Sequence, residues 1–295
     1  MKNKGVTIVM GSFNRKRFLQ LSINSLRAEL NNCGFPQEII VVDGGSTDGS
    51  LKWLVQQKDI ITIVQHNRGN WRGKPIVRRS WGYFMNLGFK CAQGKYVCMI
   101  SDDCLVVPGA IKNGYALFEE ELAKGHKVGA VAFYWRNWPE QKQYAIRLTL
   151  GEKMFVNHGL YLNRALSAVN YLDEEMYHFY HADGDVCLKM WQQGYSVIAS
   201  SDSYIVHYGH AKPLVRRSNT QKQQRDWQNY LNKWKNIFYD EQKNNIDGTL
   251  EKYHEDPWHT ANKYLFIGWP DIILRKIVKC LIKIVRRARG AGSNQ

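Results

Sequence analysis

The chain has 295 residues, 44% hydrophobic, with 41 lysines and arginines against 26 acids, a formal charge of +15. Length and apolar content suffice for a sizeable core in one large or two fused domains, which excludes a disordered chain or a small disulfide scaffold. The charge calls for a polyanionic partner: nucleic acid, an anionic membrane or a phosphate-bearing substrate. The six cysteines fall singly at 33, 91, 98, 104, 187 and 280 without a C-x-x-C pair, against a zinc site and in keeping with a reducing compartment. Strand-like sequence from Val6 leads us to expect no signal peptide, and no apolar run reaches the roughly 18 residues that span a bilayer.

Residues 6–10 read as a first strand closed by Gly11-Ser12-Phe13-Asn14-Arg15, and apolar residues from Phe18 to Leu30 recur at helical spacing. Residues 38–42 form a second strand ending on Asp43, followed by a Gly-Gly-Ser-Thr-Asp-Gly-Ser loop whose glycines allow close backbone approach. Thr47 or Asp48 can cap a helix that runs through Gln57. Residues 60–65 are a third strand, 67–74 a basic loop, 76–91 a helix and 96–100 a strand apolar on both faces. Strands alternating with helices predict a parallel α/β sheet with right-handed crossovers.

The strand over 96–100 runs into Ser101-Asp102-Asp103. Strand C-termini line the ligand crevice of open α/β sheets. Two adjacent carboxylates with no nearby cation in sequence fit a divalent metal, the bland alternative being a capped, solvated turn. The glycine-rich loops match neither a dinucleotide fingerprint nor a P-loop. Two strands ending in acids instead allow one acid to hydrogen-bond a base or ribose while the other holds metal on a diphosphate.

Residues 110–124 look helical, 128–134 form a strand, and 144–150 alternate weakly. A strand over 155–162 is interrupted at His158-Gly159, where backbone could pass a ligand closely, and 164–169 form a short helix. Asp183 stands where a helix ending at Gly194 begins, either as its N-cap or as a general base. Residues 196–199 and 203–206 read as two short strands, the second ending on His207, a core histidine or a ligand.

In this order and spacing the chain resembles the family 2 glycosyltransferases, nucleotide-sugar enzymes of the GT-A fold, and is similar to their bacterial polysaccharide members. Val41-Val42-Asp43-Gly44-Gly45-Ser46-Thr47-Asp48-Gly49 resembles the nucleotide loop, and Ser101-Asp102-Asp103 the metal-binding D-x-D with serine at its first acid. Asp183-Gly184-Asp185-Val186-Cys187-Leu188 with Gly194-Tyr195 resembles the acceptor-side segment, with Ala182 where glutamate is frequent, and Val206-His207 the late V-x-H. The resemblance implies an α/β GT-A fold, a Rossmann-like, mostly parallel sheet flanked by helices, with a C-terminal helical extension.

It implies a catalytic domain over 1–210, with a nucleotide half over 1–105 and an acceptor half over 106–210. An extension over 211–270 and a tail over 271–295 follow. It implies an inverting enzyme that uses Mn²⁺ or Mg²⁺ and a UDP-, GDP- or dTDP-sugar donor, with a glycan or lipid-linked acceptor. Ser12, Asn14, Arg15, Asp43, Gly45, Asn67, Arg68 and Asp102 would bind the nucleotide, Asp103 and His207 the metal, and Asp183 would be the base. His158, Gly159, Asp185, Trp191, Arg216 and Arg217 are candidates for acceptor or diphosphate contacts.

In the tail, Ile273, Leu274, Ile277, Val278, Leu281, Ile284 and Val285 share one helical face, with lysines and arginines largely on the other. Such a helix fits an anionic membrane surface or a protein partner, and places the enzyme on the cytoplasmic face of a membrane. Competing readings are a sugar nucleotidyltransferase and a non-enzymatic basic module. The latter lacks any recognisable nucleic-acid motif, so no specific nucleic acid is expected.

Overall fold

A computed structural model describes residues 5–209, 219–243 and 248–252, together with His254, Ile273, Ile277 and Cys280. Its centre is set by runs of β-branched residues too apolar to face water on either side. These are β1 (Val6–Ser12), β2 (Gln37–Asp43), β3 (Ile60–Val64) and β6 (Tyr96–Met99). Ile8, Val9, Ile40, Val41, Val97 and Cys98 are fully buried, each aliphatic side chain worth about 1.5–3 kcal/mol over leaving it in water. The four strands pair in parallel in the order β6-β1-β2-β3, with Val9 opposite both Ile40 and Met99. Parallel pairing requires crossovers, supplied by α1 (Lys16–Leu30), α2 (Ser50–Leu54) and α3 (Trp81–Cys91).

A two-stranded hairpin of β4 (Asn70–Trp71) and β5 (Lys74–Pro75) stands between β3 and α3. Beyond β6 come β7 (Cys104–Val106), α4 (Ala110–Ala123), β8 (Val128–Asn137), β9 (Tyr144–Thr149), β10 (Lys153–Met154) and β11 (Gly159–Leu162). Then follow α5 (Asn163–Ala168), α6 (Ala182–Gln192), β12 (Ser196–His207), α7 (Gln223–Trp234) and β13 (Gly248–Lys252). The main sheet reads β10-β9-β8-β11-β6-β1-β2-β3. β11 inserts antiparallel between β6 and β8, and β12 runs parallel to β8 while its end pairs antiparallel with β7. The C-terminal ends of β1, β2 and β6, the start of β11 and the end of β12 therefore meet at one edge.

Local chemistry accounts for the departures from the sequence reading. The helix expected from residue 76 starts at Trp81, because Ser80 caps it by accepting the Tyr83 N–H at 3.0 Å. The strand expected from 155 starts at Gly159, whose φ of +149° breaks the run. The two short strands near 200 are one strand, β12, with a register shift between Ser200 and Tyr204. Its buried hydroxyls satisfy each other, Ser200 and Ser203 lying 2.7 Å apart while Ser203 also donates to the Ala110 carbonyl at 2.6 Å. The helix after the glycine-rich loop spans only Ser50–Leu54, with Asp48 accepting the Ser50 N–H at 3.0 Å. β7 and the hairpin were not foreseen, being too short to show a period.

Candidate active site

The turns after β1 and β2 are stitched together. The Asn14 N–H donates to Ser46 Oγ at 2.8 Å, and the Asn14 side-chain oxygen accepts from the Thr47 N–H at 2.7 Å. Asn14 has a φ of +52°, a conformation its short polar side chain tolerates. Asp43 is fully buried at the end of β2; Oδ1 accepts the Gly45 and Ser46 N–H groups at 2.9 and 2.7 Å, while Oδ2 has no hydrogen-bond partner among the described residues. An unsatisfied buried acceptor costs about 1–3 kcal/mol, which a donor on a bound base or ribose would offset. Gly45 is required beside it, since a Cβ there would lie 2.4 Å from His66 Nδ1. Asn67 brackets Arg79, accepting its N–H at 2.6 Å and donating to its carbonyl at 3.2 Å, and the Arg68 guanidinium lies 5.0 Å over the Phe13 ring.

Asp102 and Asp103 are each only 2% exposed, and the cation absent from their sequence neighbourhood is Arg15. Its Nη1 lies 2.7 Å from Asp102 and 2.9 Å from Asp103, because β1 and β6 are neighbours and both end here. Burial opposes the Arg15 charge, but the two carboxylates hold its pKa above the usual value. Burial likewise pushes the Asp102 carboxyl up, with Arg15 pulling against it. One guanidinium against two carboxylates leaves a negative charge in a buried site. The opening expectation of two acids around a metal is therefore modified: Arg15 occupies the space between them and neutralises one.

On the other side of Asp103, His207 Nε2 is 3.3 Å from Oδ1, while His207 Nδ1 is 2.8 Å from the Asn137 side-chain oxygen. With Nδ1–H on Asn137, Nε2 faces a carboxylate oxygen of Asp103, a contact that either a proton or a metal cation between them would satisfy. β7 pairs Cys104 directly with His207, which puts both side chains on one face. One ligand atom each of Asp103, Cys104 and His207 lies within 4.8 Å of the others. Carboxylate, imidazole and thiol in this arrangement fit a divalent cation. His158 Nε2 stands 3.6 Å from Cys104 Sγ; burial and then the nearby His207 hold its pKa down at about 3, so the ring is neutral.

Asp183 lies in the first turn of α6. His181 is the N-cap and Ala182 the first helical residue, so Asp183 is not the cap that the sequence left open. Its Oδ1 accepts the Gly184 N–H at 2.9 Å and its Oδ2 accepts from Asn157 at 3.0 Å, while Trp135 Nε1 donates to Asn157 at 3.2 Å. Burial raises the Asp183 carboxyl above its ordinary range against those bonds.

A cavity of about 310 Å³ joins these groups. Of the residues singled out from sequence, Ser12, Arg15, Asn67, Arg68, Asp102, His158, Asp183 and His207 line it. Asn14, Asp43, Gly45, Asp103 and Gly159 adjoin those walls without lining them. Two are placed elsewhere. Asp185 is fully buried between α6 and α7, bonded to Tyr177, Trp234 and Lys233 at 2.9, 3.0 and 2.9 Å, which excludes contact with acceptor or diphosphate. Trp191 donates to the Met154 carbonyl at 3.0 Å and packs on the core, away from the cavity. Arg216 and Arg217 lie outside the described residues. The sequence reading missed Asn157, Arg78, Arg79 and the rings of Trp81, Trp135, Phe179 and Tyr180 on the cavity wall. Arg78 and Arg79 fell within the helix expected from residue 76, beyond the basic loop over 67–74, so nothing in the sequence singled them out.

A family model described as glycosyl transferase family 2 matches residues 7–171, more than half of the chain. A chondroitin synthase of Pasteurella multocida is 29% identical over 111 residues, covering 36% of this chain and 10% of that protein. The chain spans a third or less of the length of the curated relatives it matches. Among solved structures, Staphylococcus aureus TarS residues 1–349 in complex with UDP-GlcNAc superimposes with a TM-score of 0.50 at 16% identity, covering 68% of this chain and 58% of that one. A mannosyltransferase of Pyrobaculum calidifontis in complex with GDP-Man and Mn²⁺ gives 0.53 at 17% identity, covering 98% and 80%. These likenesses show the fold, a mostly parallel sheet flanked by helices as in GT-A proteins. With the family match over the sheet and its acidic strand ends, the chain belongs to glycosyl transferase family 2.

Proposed function

We propose that this family 2 protein is a glycosyltransferase that moves a sugar from a nucleotide-diphosphate donor to an acceptor hydroxyl with inversion, in a metal-dependent reaction of cell-surface polysaccharide synthesis. The observation that carries the reading is the single cavity shared by Ser12 and Asp102, by His207 and by Asp183. Asp43 Oδ2 accepts from the base or ribose, beside Ser12, Asn14, Gly45, Asn67 and Arg68. Asp103 and His207, with Cys104 beside them, would hold Mn²⁺ or Mg²⁺, and the bound ion would supply Lewis-acid stabilisation of negative charge on a diphosphate leaving group. Asp183 takes the acceptor proton as the hydroxyl attacks the anomeric carbon from the opposite face. A carboxylate raised by burial suits this base role. The rings of Trp81, Trp135, Phe179 and Tyr180 suit the faces of an acceptor sugar. The likeness to a chondroitin synthase supports a glycan acceptor, free or lipid-linked. The basic amphipathic tail supports attachment to the cytoplasmic face of a membrane.

The test is nucleoside-diphosphate release from a panel of UDP-, GDP- and dTDP-sugars with and without Mn²⁺. One donor should be turned over only with metal. Asp183→Asn should cut turnover by about two to four orders of magnitude with donor affinity kept, and Asp103→Ala should remove the metal dependence of donor binding. Metal-independent turnover, or a wild-type rate in Asp183→Asn, would overturn the reading. Pyrophosphate release from a nucleoside triphosphate would point to a nucleotidyltransferase instead.

A further inference from the structure

The segment that delivers Asp183 is held from outside the stretch that the family match covers. Asp226, in the first turn of α7, is 1% exposed and bonds no lysine or arginine among the described residues. Its carboxylate instead accepts three successive backbone N–H groups: His178 at 2.8 Å on Oδ1, then Phe179 at 2.8 Å and Tyr180 at 3.0 Å on Oδ2. Three converging donors on one buried carboxylate make a tight, charge-assisted clamp. The clamped turn leads into His181, whose φ of +70° is a strained conformation for a non-glycine residue. The His181 ring stacks on Tyr230 of α7 with centroids 5.2 Å apart, and its carbonyl accepts the Asp185 N–H at 2.8 Å, an opening bond of α6. Asp183 sits two residues into that helix, and Phe179, Tyr180 and His181 share the cavity wall with it.

We propose that Asp226 is a positioning residue for the transfer reaction: by ordering the turn over residues 178–181 it sets where α6 begins and hence where the Asp183 carboxylate points. The inference rests on the reading of Asp183 as the base. A displacement of about 1 Å in a reacting group costs on the order of a hundredfold in rate. An amide at 226 cannot accept from all three N–H groups, since its NH₂ faces at least one of them.

The experiment compares Asp226→Asn, Asp183→Asn and the double variant in full-length protein, by Mn²⁺-dependent nucleoside-diphosphate release from UDP-GlcNAc and GDP-mannose. Asp226→Asn should lower kcat roughly ten- to a hundredfold with donor KM within about twofold. In the Asp183→Asn background it should have no further effect, because the group it positions is gone. Amide exchange at 178–180 should accelerate in Asp226→Asn. Where that variant does not fold, Asp226→Glu keeps the charge but shifts it by a methylene, and should show the same kcat loss. An equal, additive loss in the Asp183→Asn background, or a rise in donor KM matching the kcat loss, would overturn the positioning role and leave Asp183 as the base. A wild-type rate in Asp183→Asn alone would remove both readings.

Discussion

Burial raises the Asp183 carboxyl while Gly184 and Asn157 hold its two oxygens, so its base form is lost as pH falls through a value above the ordinary carboxylate pKa of about 4. The kcat profile should therefore show an acid limb above pH 4, with activity present on the alkaline side, and Asp183→Asn should abolish that limb. Profiles of both proteins over pH 4 to 9 check this; a limb that survives in the variant would assign it to another group. At this scale the acids were legible in sequence because each closes a recognisable strand or opens a helix. Their partners were not. Arg15 is 87 residues from Asp102, Asn157 is 26 from Asp183, and Asp226 is 48 from His178. No local pattern pairs such residues.

The strand β11 depends on one backbone position. Gly159 pairs with Met99 on one side and Ala132 on the other, adopts a φ of +149°, and would carry a Cβ 2.2 Å from the Val131 carbonyl. Gly159→Ala should destabilise the protein by about 1–3 kcal/mol or more, seen as a lower urea midpoint at unchanged m-value. An unchanged midpoint would show that the sheet yields there at little cost. The sequence flagged this glycine for ligand approach; strand–strand approach is what demands it. Helices and long strands were legible from their periods, although α3 began five residues later than read, where Ser80 rather than hydrophobic spacing sets the boundary.

On the scale of the molecule, positive charge meets water at the hairpin, where Arg72 and Lys74 are exposed, and the sequence concentrates more of it in the C-terminal residues. There Ile273 and Ile277 are helical and 42% and 50% exposed, with Cys280 exposed one turn on. Positions four and seven apart share a helical face. The remaining tail residues named from sequence lie outside the described residues, and no described helix is long and apolar enough to cross a membrane. Deleting residues after Pro270 should abolish sedimentation with phosphatidylserine liposomes while nucleoside-diphosphate release persists; undiminished sedimentation would refute the anchor.

The sequence by itself determined the α/β class, the parallel strands, and the acids at their ends, because apolar runs, helical periods and turn residues are local properties of the chain. Tertiary structure decided which acids face which charges. It set Arg15 between Asp102 and Asp103, aimed His207 at Asp103 across β7 and β12, moved Asp185 into a buried ion pair, and brought Asp226 to the turn that leads to Asp183. The physical reason is that hydrophobic pattern specifies which faces are buried, whereas the energy of a buried charge depends on partners that only the folded sheet brings within 3 Å or so.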